Sequence, residues 1–264
     1  MKGLSLFILA GVFIVSGSIE GCKGIKPESL AAKSLKVKIL TYNVKNCTGM
    51  DGVIDYQRVA GIIKRINPDI VALQELDSAT SRSNGVVVLS ELSKLTGMYQ
   101  TYGASIEYQG GKYGIGILTR EKPVAWKVVP LPGREERRSL LIVELGNVIM
   151  GCTHFSLNEI DRIASVSIVS SAFEGYSKPV FIAGDFNAVP ESAVIIGMQD
   201  YWNILNDTST PTIPSEKPSR CIDYIMGLKA SGFKYQTLQT IVEKEPVASD
   251  HLPVWAEIEV SQIR

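Results

Sequence analysis

The chain of 264 residues has no apolar run long enough to cross a bilayer core, which takes roughly 20 such residues. Its N-terminal "LSLFILAGVFIV", Leu4 to Val15, falls short of that. Net charge is also missing, since 27 Lys plus Arg balance 27 Asp plus Glu. Neutrality gives no support to a protein that coats long nucleic acid electrostatically, although an enzyme gripping one phosphate at a time stays open. There is no HExxH and no paired CxxC, and the cysteines, Cys22, Cys47, Cys152 and Cys221, have a spacing that fits no zinc template. Internal repeats and low-complexity tracts are absent. Only two histidines occur, His154 and His251, and the three tryptophans, Trp126, Trp202 and Trp255, are scattered and form no aromatic hairpin for bilayer insertion.

With 45% hydrophobic and 20% charged residues, the composition is that of a globular protein with one large domain or two small ones. Lys2 followed by the Leu4–Val15 run has the length of a secretory h-region, so residues 1–21 are expected to be a signal peptide. The sequence then reads "SGSIEGC", in which Ile19, Gly21 and Cys22 resemble the bacterial lipoprotein box and Glu20 departs from it. Cys22 is therefore the expected lipidation site, with a polar tether over residues 22–35 and an anchor at the cell envelope, most simply the outer membrane. The alternative, a short buried helix opening the domain, fits the polar Lys23 to Lys36 stretch less well. An odd number of further cysteines in an exported chain leaves at least one unpaired. Buried, reduced residues are the better expectation, with a Cys47–Cys221 bridge as the alternative.

From Lys36 onward, short apolar runs alternate with amphipathic stretches. "KVKILTYN" reads as a strand; Val59, Ile62, Ile63 and Ile66 then recur at helical spacing, and Pro68 stops the helix near Asn67. "DIVALQE" is a second strand, and a second helix is expected from Val86 to Leu95, closed by Gly97. The middle holds "YGIGILTR", "PVAWKVV", "SLLIVEL" and "NVIMGCTHF", the last two joined at Gly146 and Asn147 by a hairpin signal. A long helix is expected from Glu159 to about Phe173. After it come "PVFIAGDFN", a short helix begun by Pro190, "CIDYIM", "FKYQTLQTIV" and "LPVWAEIEV". The Thr-, Ser- and Pro-rich stretch from Asp207 to Pro218 reads as a surface loop. This order suggests an α/β protein with two sheets packed face to face and helices outside, and no linker divides residues 36–263.

Several apolar runs finish in a polar group. "KILTYN" ends at Asn43, "IVALQE" at Glu75, "VIMGCTH" at His154, and "VFIAGDFN" at Asp185 and Asn187. Asp223 lies in "CIDYIM", and Asp250 and His251 precede the last strand. Taken singly, each is more simply a cap or turn former. Turn chemistry does not explain why strand termini should gather carboxylates, amides and both imidazoles. Glu75, with Asn43 and Asp250, offers hard oxygen ligands of the kind Mg2+ or Mn2+ accepts.

The motifs "TYNV", "LQE", "YGIGILTR", "THF", "GDFN", "IDYI" and "SDHLPV", in that order, resemble the endonuclease/exonuclease/phosphatase superfamily. That group includes type I deoxyribonucleases, exonuclease III-like enzymes, neutral sphingomyelinases and inositol polyphosphate 5-phosphatases. The resemblance covers Val37 to Val260 and implies a four-layer α/β sandwich, two packed mixed β-sheets flanked by helices, over a catalytic domain at 36–263. It implies that Glu75 binds the metal with Asn43 and Asp250, and that Asp185 orients or deprotonates water. In the same pattern Asn187 holds a neighbouring oxygen, Asp223 fixes His251, and His154 faces phosphate. Asn43, Tyr113, Arg82 and Arg138 or Arg137 are substrate-side candidates, with a solvated surface charge as the alternative for each arginine. The sequence departs from the family at Ile115, where many members have Asn after Tyr-Gly. It also departs at His154, for which no partner glutamate is evident; Glu107 is merely near in sequence.

The expected activity is metal-dependent hydrolysis of a phosphate ester, foremost a phosphodiester of nucleic acid or of a phospholipid headgroup such as sphingomyelin, at the membrane. Alternatives are a phosphomonoesterase of the inositol-phosphatase type and a non-catalytic binding protein of the same fold.

Overall fold

A computed structural model describes residues 34–263. The expected signal peptide, Cys22 and most of the tether lie outside the described residues. Strands are β1 (Leu35–Asn43), β2 (Ile70–Ser78), β3 (Tyr99–Tyr108), β4 (Gly111–Thr119), β5 (Ala125–Leu131), β6 (Arg138–Glu144), β7 (Ile149–His154), β8 (Val180–Asp185), β9 (Trp202–Ile204), β10 (Asp223–Leu228), β11 (Phe233–Val242) and β12 (Val254–Gln262). Helices are α1 (Tyr56–Ile66), α2 (Val88–Thr96), α3 (Glu159–Ser171) and α4 (Ala193–Tyr201).

Two six-stranded sheets result, ordered β11-β12-β1-β2-β4-β3 and β5-β6-β7-β8-β10-β9. At the centre of each is one parallel pair, β1 with β2 and β7 with β8. A helix follows the first strand of each pair, α1 in one case and α3 in the other, because parallel neighbours need a crossover. These central strands are buried on both faces, which is why "KILTYN" and "VFIAG" read as continuous apolar runs.

Three apolar layers lie between the four layers of structure. Ile39, Ile117, Val143, Met150, Ala183 and Ile225 are among those filling the space between the sheets. Leu40, Leu73, Ile63 and Leu89 join the first sheet to α1 and α2, while Ile182, Phe173, Val194 and Trp202 join the second to α3 and α4. The expected four-layer α/β sandwich is thus the observed architecture.

Local signals placed most boundaries. Asp55 caps α1 by accepting from the Arg58 N–H at 2.9 Å, and Asn67 ends it in the left-handed region before Pro68. The Gly146–Asn147 hairpin is present, closed by Leu145 N–H to Val148 C=O at 2.9 Å. Cys47, Cys152 and Cys221 are all buried and free, so the alternative bridge is not formed.

The observed elements differ from the expected ones in several places. β3 and β9 were not legible as strands, since both are short of a clean alternating pattern. Pro190 does not start a helix: Ser192 caps α4, which begins at Ala193. Asp223 opens β10 instead of lying inside it. The stretch from Asp207 to Pro218 is not a simple surface loop, for Thr212 and Ser215 are buried and hydrogen-bond the backbone of Leu252 and Asp250.

Candidate active site

Because both parallel pairs point their carboxyl ends the same way, Asn43 and Glu75 of one sheet meet His154 and Asp185 of the other. Crevices at such strand ends are where α/β sheets bind ligands. Within the second sheet His154, Asp185 and Asp223 are direct cross-strand neighbours on β7, β8 and β10, so three polar termini stand in a row.

Asn43, fully buried, bridges the sheets: its Nδ2 donates to Glu75 Oε1 at 2.9 Å and to Asp185 Oδ2 at 3.1 Å. Its Oδ1 accepts from the Lys45 N–H at 3.2 Å. In this arrangement Asn43 holds two carboxylates together through its amide nitrogen.

Glu75 does not close its strand, as its place in "IVALQE" suggested. β2 continues to Ser78, and Gln74 and Glu75 oppose the single residue Ile115 in a bulge, with Glu75 at φ 60°. The extra residue turns the carboxylate toward the strand ends, a common use of bulges beside sites. Ile115 itself is buried in the inter-sheet core, so the position that carries an amide in many relatives is packing here.

Asp185 is 1% exposed. Its Oδ1 accepts from the Asn187 N–H at 2.9 Å, and its Oδ2 lies 3.4 Å from His154 Nε2 and 3.6 Å from His251 Nε2. Asn187 lies outside the strand, although the run "VFIAGDFN" was expected to extend to it. The strand ends at Asp185, Asn187 turns into the left-handed region at φ 48°, and its side-chain amide donates to Phe155 C=O. It braces the Asp185 loop against the end of β7.

The two histidines are set up differently. His251 Nδ1 faces Asp223 at 3.0 Å. Burial works against the charged ring, but the Asp223 and Asp185 carboxylates outweigh it and push the pKa up to about 10. His154 is held down to about 3, chiefly by burial, with the Arg138 guanidinium adding to it against the pull of Asp185.

Thr212 is a site residue that sequence reading missed. Its hydroxyl donates to Asp223 Oδ2 from the loop expected to be surface. Removing it in Thr212→Val leaves a buried carboxylate short of a donor, and a loss of about 1.5–3 kcal/mol is expected in denaturant titration. Ser249, from "SDH", is also buried and donates to Asn43 C=O at 2.7 Å, tying the His251 loop to β1.

The glycine of "GDFN" has a packing reason. A Cβ on Gly184 would lie 2.0 Å from Thr153 C=O on the neighbouring strand. Gly184→Ala must therefore push β7 from β8 directly beneath His154 and Asp185. An overpacking loss of about 1–3 kcal/mol is expected by chemical denaturation, with activity falling further than stability.

Other candidates lie less centrally. Asp250 is partly exposed and pairs with Lys45 at 3.7 Å. The Arg82 fork is occupied by the buried Asp77, at 2.6 and 2.7 Å, and stacks over Tyr108 and Tyr113. Arg82 is thus neither a free surface charge nor an open phosphate fork. Tyr113 is buried, and that burial, with Glu75 nearby, raises its pKa. Arg137 is exposed, whereas Arg138 is buried beside His154. Glu107 pairs with Lys112 and does not contact His154.

A cation fits the acidic side of this cluster. Burial raises the Glu75 pKa, Asp250 and Asp185 add like-charge repulsion, and its hydrogen-bond donor among the described residues is the neutral Asn43. Asp185, Asp223 and His251 offer ligand atoms within 4.8 Å of one another, a spacing that a metal ion can bridge. Those three already satisfy one another through the His251 ring, while Glu75 has no cationic partner within ion-pair reach among the described residues. Oxygen donors around Glu75 therefore make the better seat for a hard cation.

The sequence model of the Endonuclease/Exonuclease/phosphatase family matches residues 40–251. Among curated proteins none matches the chain in sequence. An endonuclease/exonuclease/phosphatase structure from Beutenbergia cavernae is similar with TM-score 0.72 and 22% identity, covering 86% of this chain and 72% of that one. One from Bacteroides vulgatus gives 0.71 and 16%, covering 86% and 100%. A mannosyl-6-phosphatase from Bacteroides thetaiotaomicron gives 0.63 and 16%, covering 84% and 99%. At these identities the structures speak for the fold. The matched span, which runs from the apolar start of "LTYN" to His251 and so contains every residue of the cluster above, places the chain in the endonuclease/exonuclease/phosphatase family.

Proposed function

We propose that the chain is a divalent-metal-dependent hydrolase of phosphate esters, with Mg2+ or Mn2+ as the cation and a phosphodiester as the foremost substrate. Hydrolysis of phosphoesters is the chemistry of its family. The observation that carries the reading is that Asn43 holds Glu75 and Asp185 together across the two sheets, with Nε2 of both histidines beside Asp185 and Asp250 near enough to Glu75 to raise its pKa. Glu75 and Asp250 would hold the cation, joined by Asn43 once its amide turns to present Oδ1 in place of the Nδ2 that now faces Glu75; when bound the cation supplies charge neutralisation to a phosphoryl oxygen and to the departing alkoxide.

The chain's own residues divide the remaining work. Asp185, fixed by Asn43 and by the Asn187 N–H, orients a water in line with the bond to be broken and takes its proton. Nε2 of His154 and of His251 both face the place where phosphate charge builds, and each donates to it. Asp223, itself held by Thr212, keeps the His251 ring oriented and charged.

The proposed setting is the cell envelope, supported by the Leu4–Val15 run and Cys22. An anchored enzyme there meets extracellular nucleic acid or a lipid headgroup, not chromosomal DNA. Cys22→Ala shifting the protein from the membrane to the soluble fraction would test the anchor.

The reaction is tested by assaying the protein with Mg2+, Mn2+ or excess chelator on DNA, RNA, sphingomyelin, phosphoinositides, a bis-aryl phosphate and a sugar monophosphate. Turnover of diesters that stops on chelation is expected. Turnover of monoesters alone would favour the phosphatase alternative, and binding without turnover the non-catalytic one. Undiminished hydrolysis under exhaustive chelation would overturn the metal requirement.

A further inference from the structure

Nδ1 of His154 has no carboxylate within ion-pair reach among the described residues; its partner is Arg138, whose Nη1 lies 3.2 Å away. Arg138 opens β6 and is 6% exposed, so this contact is internal. Two acids keep the guanidinium in place, Glu136 at 3.1 Å from Nη1 and Glu135 at 3.5 Å from Nη2. Glu135 is fixed in turn by Ser156 Oγ at 2.7 Å and the Leu157 N–H at 2.8 Å, in the loop that follows His154. The guanidinium is thus built into the same loop system as the ring it touches.

An arginine side chain has donors and no acceptor, and it does not give up its charge in a protein. A proton on His154 Nδ1 would set donor against donor across 3.2 Å. The lone pair of Nδ1 must accept from Arg138, which puts the ring proton on Nε2. That nitrogen is the one directed at Asp185. His251 is arranged the other way, with its Nδ1 against the Asp223 carboxylate, which calls for a proton there.

We propose that Arg138 is a positioning residue that fixes His154 in the Nε2–H form, making it a permanent hydrogen-bond donor to the phosphoryl oxygen and leaving the water proton to Asp185. The inference rests on the hydrolase reading for its consequence, but not for the form of the ring. Arg138 therefore acts through His154, and the arginine need not touch substrate.

Because the chain has two histidines, 15N-labelling at histidine gives a spectrum of two rings, assigned by a His154→Asn variant. In the parent protein His154 is expected to show a bare Nδ1 and a protonated Nε2. A protonated Nδ1 on His154 would overturn the proposal outright, with no variant needed. In Arg138→Met the ring loses its fixed donor and both nitrogen signals should move measurably from the parent values toward the Nδ1–H form, the preference that remains for Nε2–H being that of the Asp185 carboxylate, whereas Arg138→Lys, which keeps a donor, should hold them near the parent. Unaltered His154 signals in a folded Arg138→Met protein would also sink it. On any ester the parent turns over, Arg138→Met should lower kcat about tenfold or more with KM within about twofold, and Arg138→Lys should recover part of the loss. A raised KM at constant kcat would mark Arg138 as a substrate contact instead. If no ester is turned over, the hydrolase reading fails while the ring assignment still stands on the spectrum.

Discussion

Replacing Asp185 by Asn is expected to lower turnover on a phosphodiester by at least ~100-fold, the usual scale for removing a positioned general base. The substitution changes few atoms, but it removes the one carboxylate toward which Asn43, the Asn187 N–H and both histidine Nε2 atoms are aimed. Asn at 185 can still accept on one side, yet it turns an N–H2 group toward donors on the other. Stability is the control. Neutralising Asp185 relieves its repulsion with Glu75 but takes a carboxylate away from the charged His251 ring, so the variant is expected to stay folded while melting several degrees below the parent, a loss on the order of 1–3 kcal/mol. A variant that keeps activity within about tenfold of the parent would show that Asp185 merely closes a turn.

The second large effect is expected from Glu75→Gln, read through the cation. Activation by Mg2+ or Mn2+ should need at least about 100-fold more metal, because the side chain lost is the proposed ligand without a cationic partner among the described residues. Metal should also stop stabilising the fold. In the parent, cation at a hundred times its dissociation constant adds about 2.7 kcal/mol, a rise that thermal melts with and without metal will show and that the variant should lack.

Without metal the order reverses, and Glu75→Gln should be the more stable protein. Burial and the neighbouring Asp250 and Asp185 raise the Glu75 pKa above its ordinary 4.5. A carboxyl whose folded pKa exceeds its unfolded one binds its proton more tightly when folded, so it costs stability once ionised. The cost is absent below the ordinary value and sets in as pH rises through the raised one. Glutamine does not titrate, and its advantage over the parent should therefore shrink as the solution is acidified. Equal metal-free stability at neutral pH would mean that the Glu75 carboxylate is not strained by its surroundings.

Much of the fold was legible because its signals are local. Asp55, Asn67 and Pro68 bracket α1 within a few residues of chain, and Gly146–Asn147 marks its hairpin without reference to anything distant. β3 was hidden because "YQTYGASIEY" mixes polar and apolar residues on an edge strand that needs burial on only part of its length. Asp207 to Pro218 misled for a related reason. Ser, Thr and Pro are the residues of surface loops, and nothing within that stretch announces that Thr212 will be drawn inward by Asp223, eleven residues on.

The site divides in the same way. Residue types at strand ends were enough to name Asn43, Glu75, His154, Asp185, Asp223 and His251, since a carboxylate or imidazole at the end of an apolar run needs a reason in any fold. What they do to one another was not in the sequence. The bulge that turns Glu75 depends on pairing with β4, the contact of Arg138 with His154 depends on β6 lying beside β7, and the protonation of each ring depends on which charge faces its Nδ1. Sequence settles which groups are available and roughly where strands stop, because those preferences act over a few residues. Only the packed sheets decide the direction of a side chain and the charge it carries, because both are set by neighbours that can lie far apart along the chain, as Ser249 does from Asn43 at a separation of 206 residues.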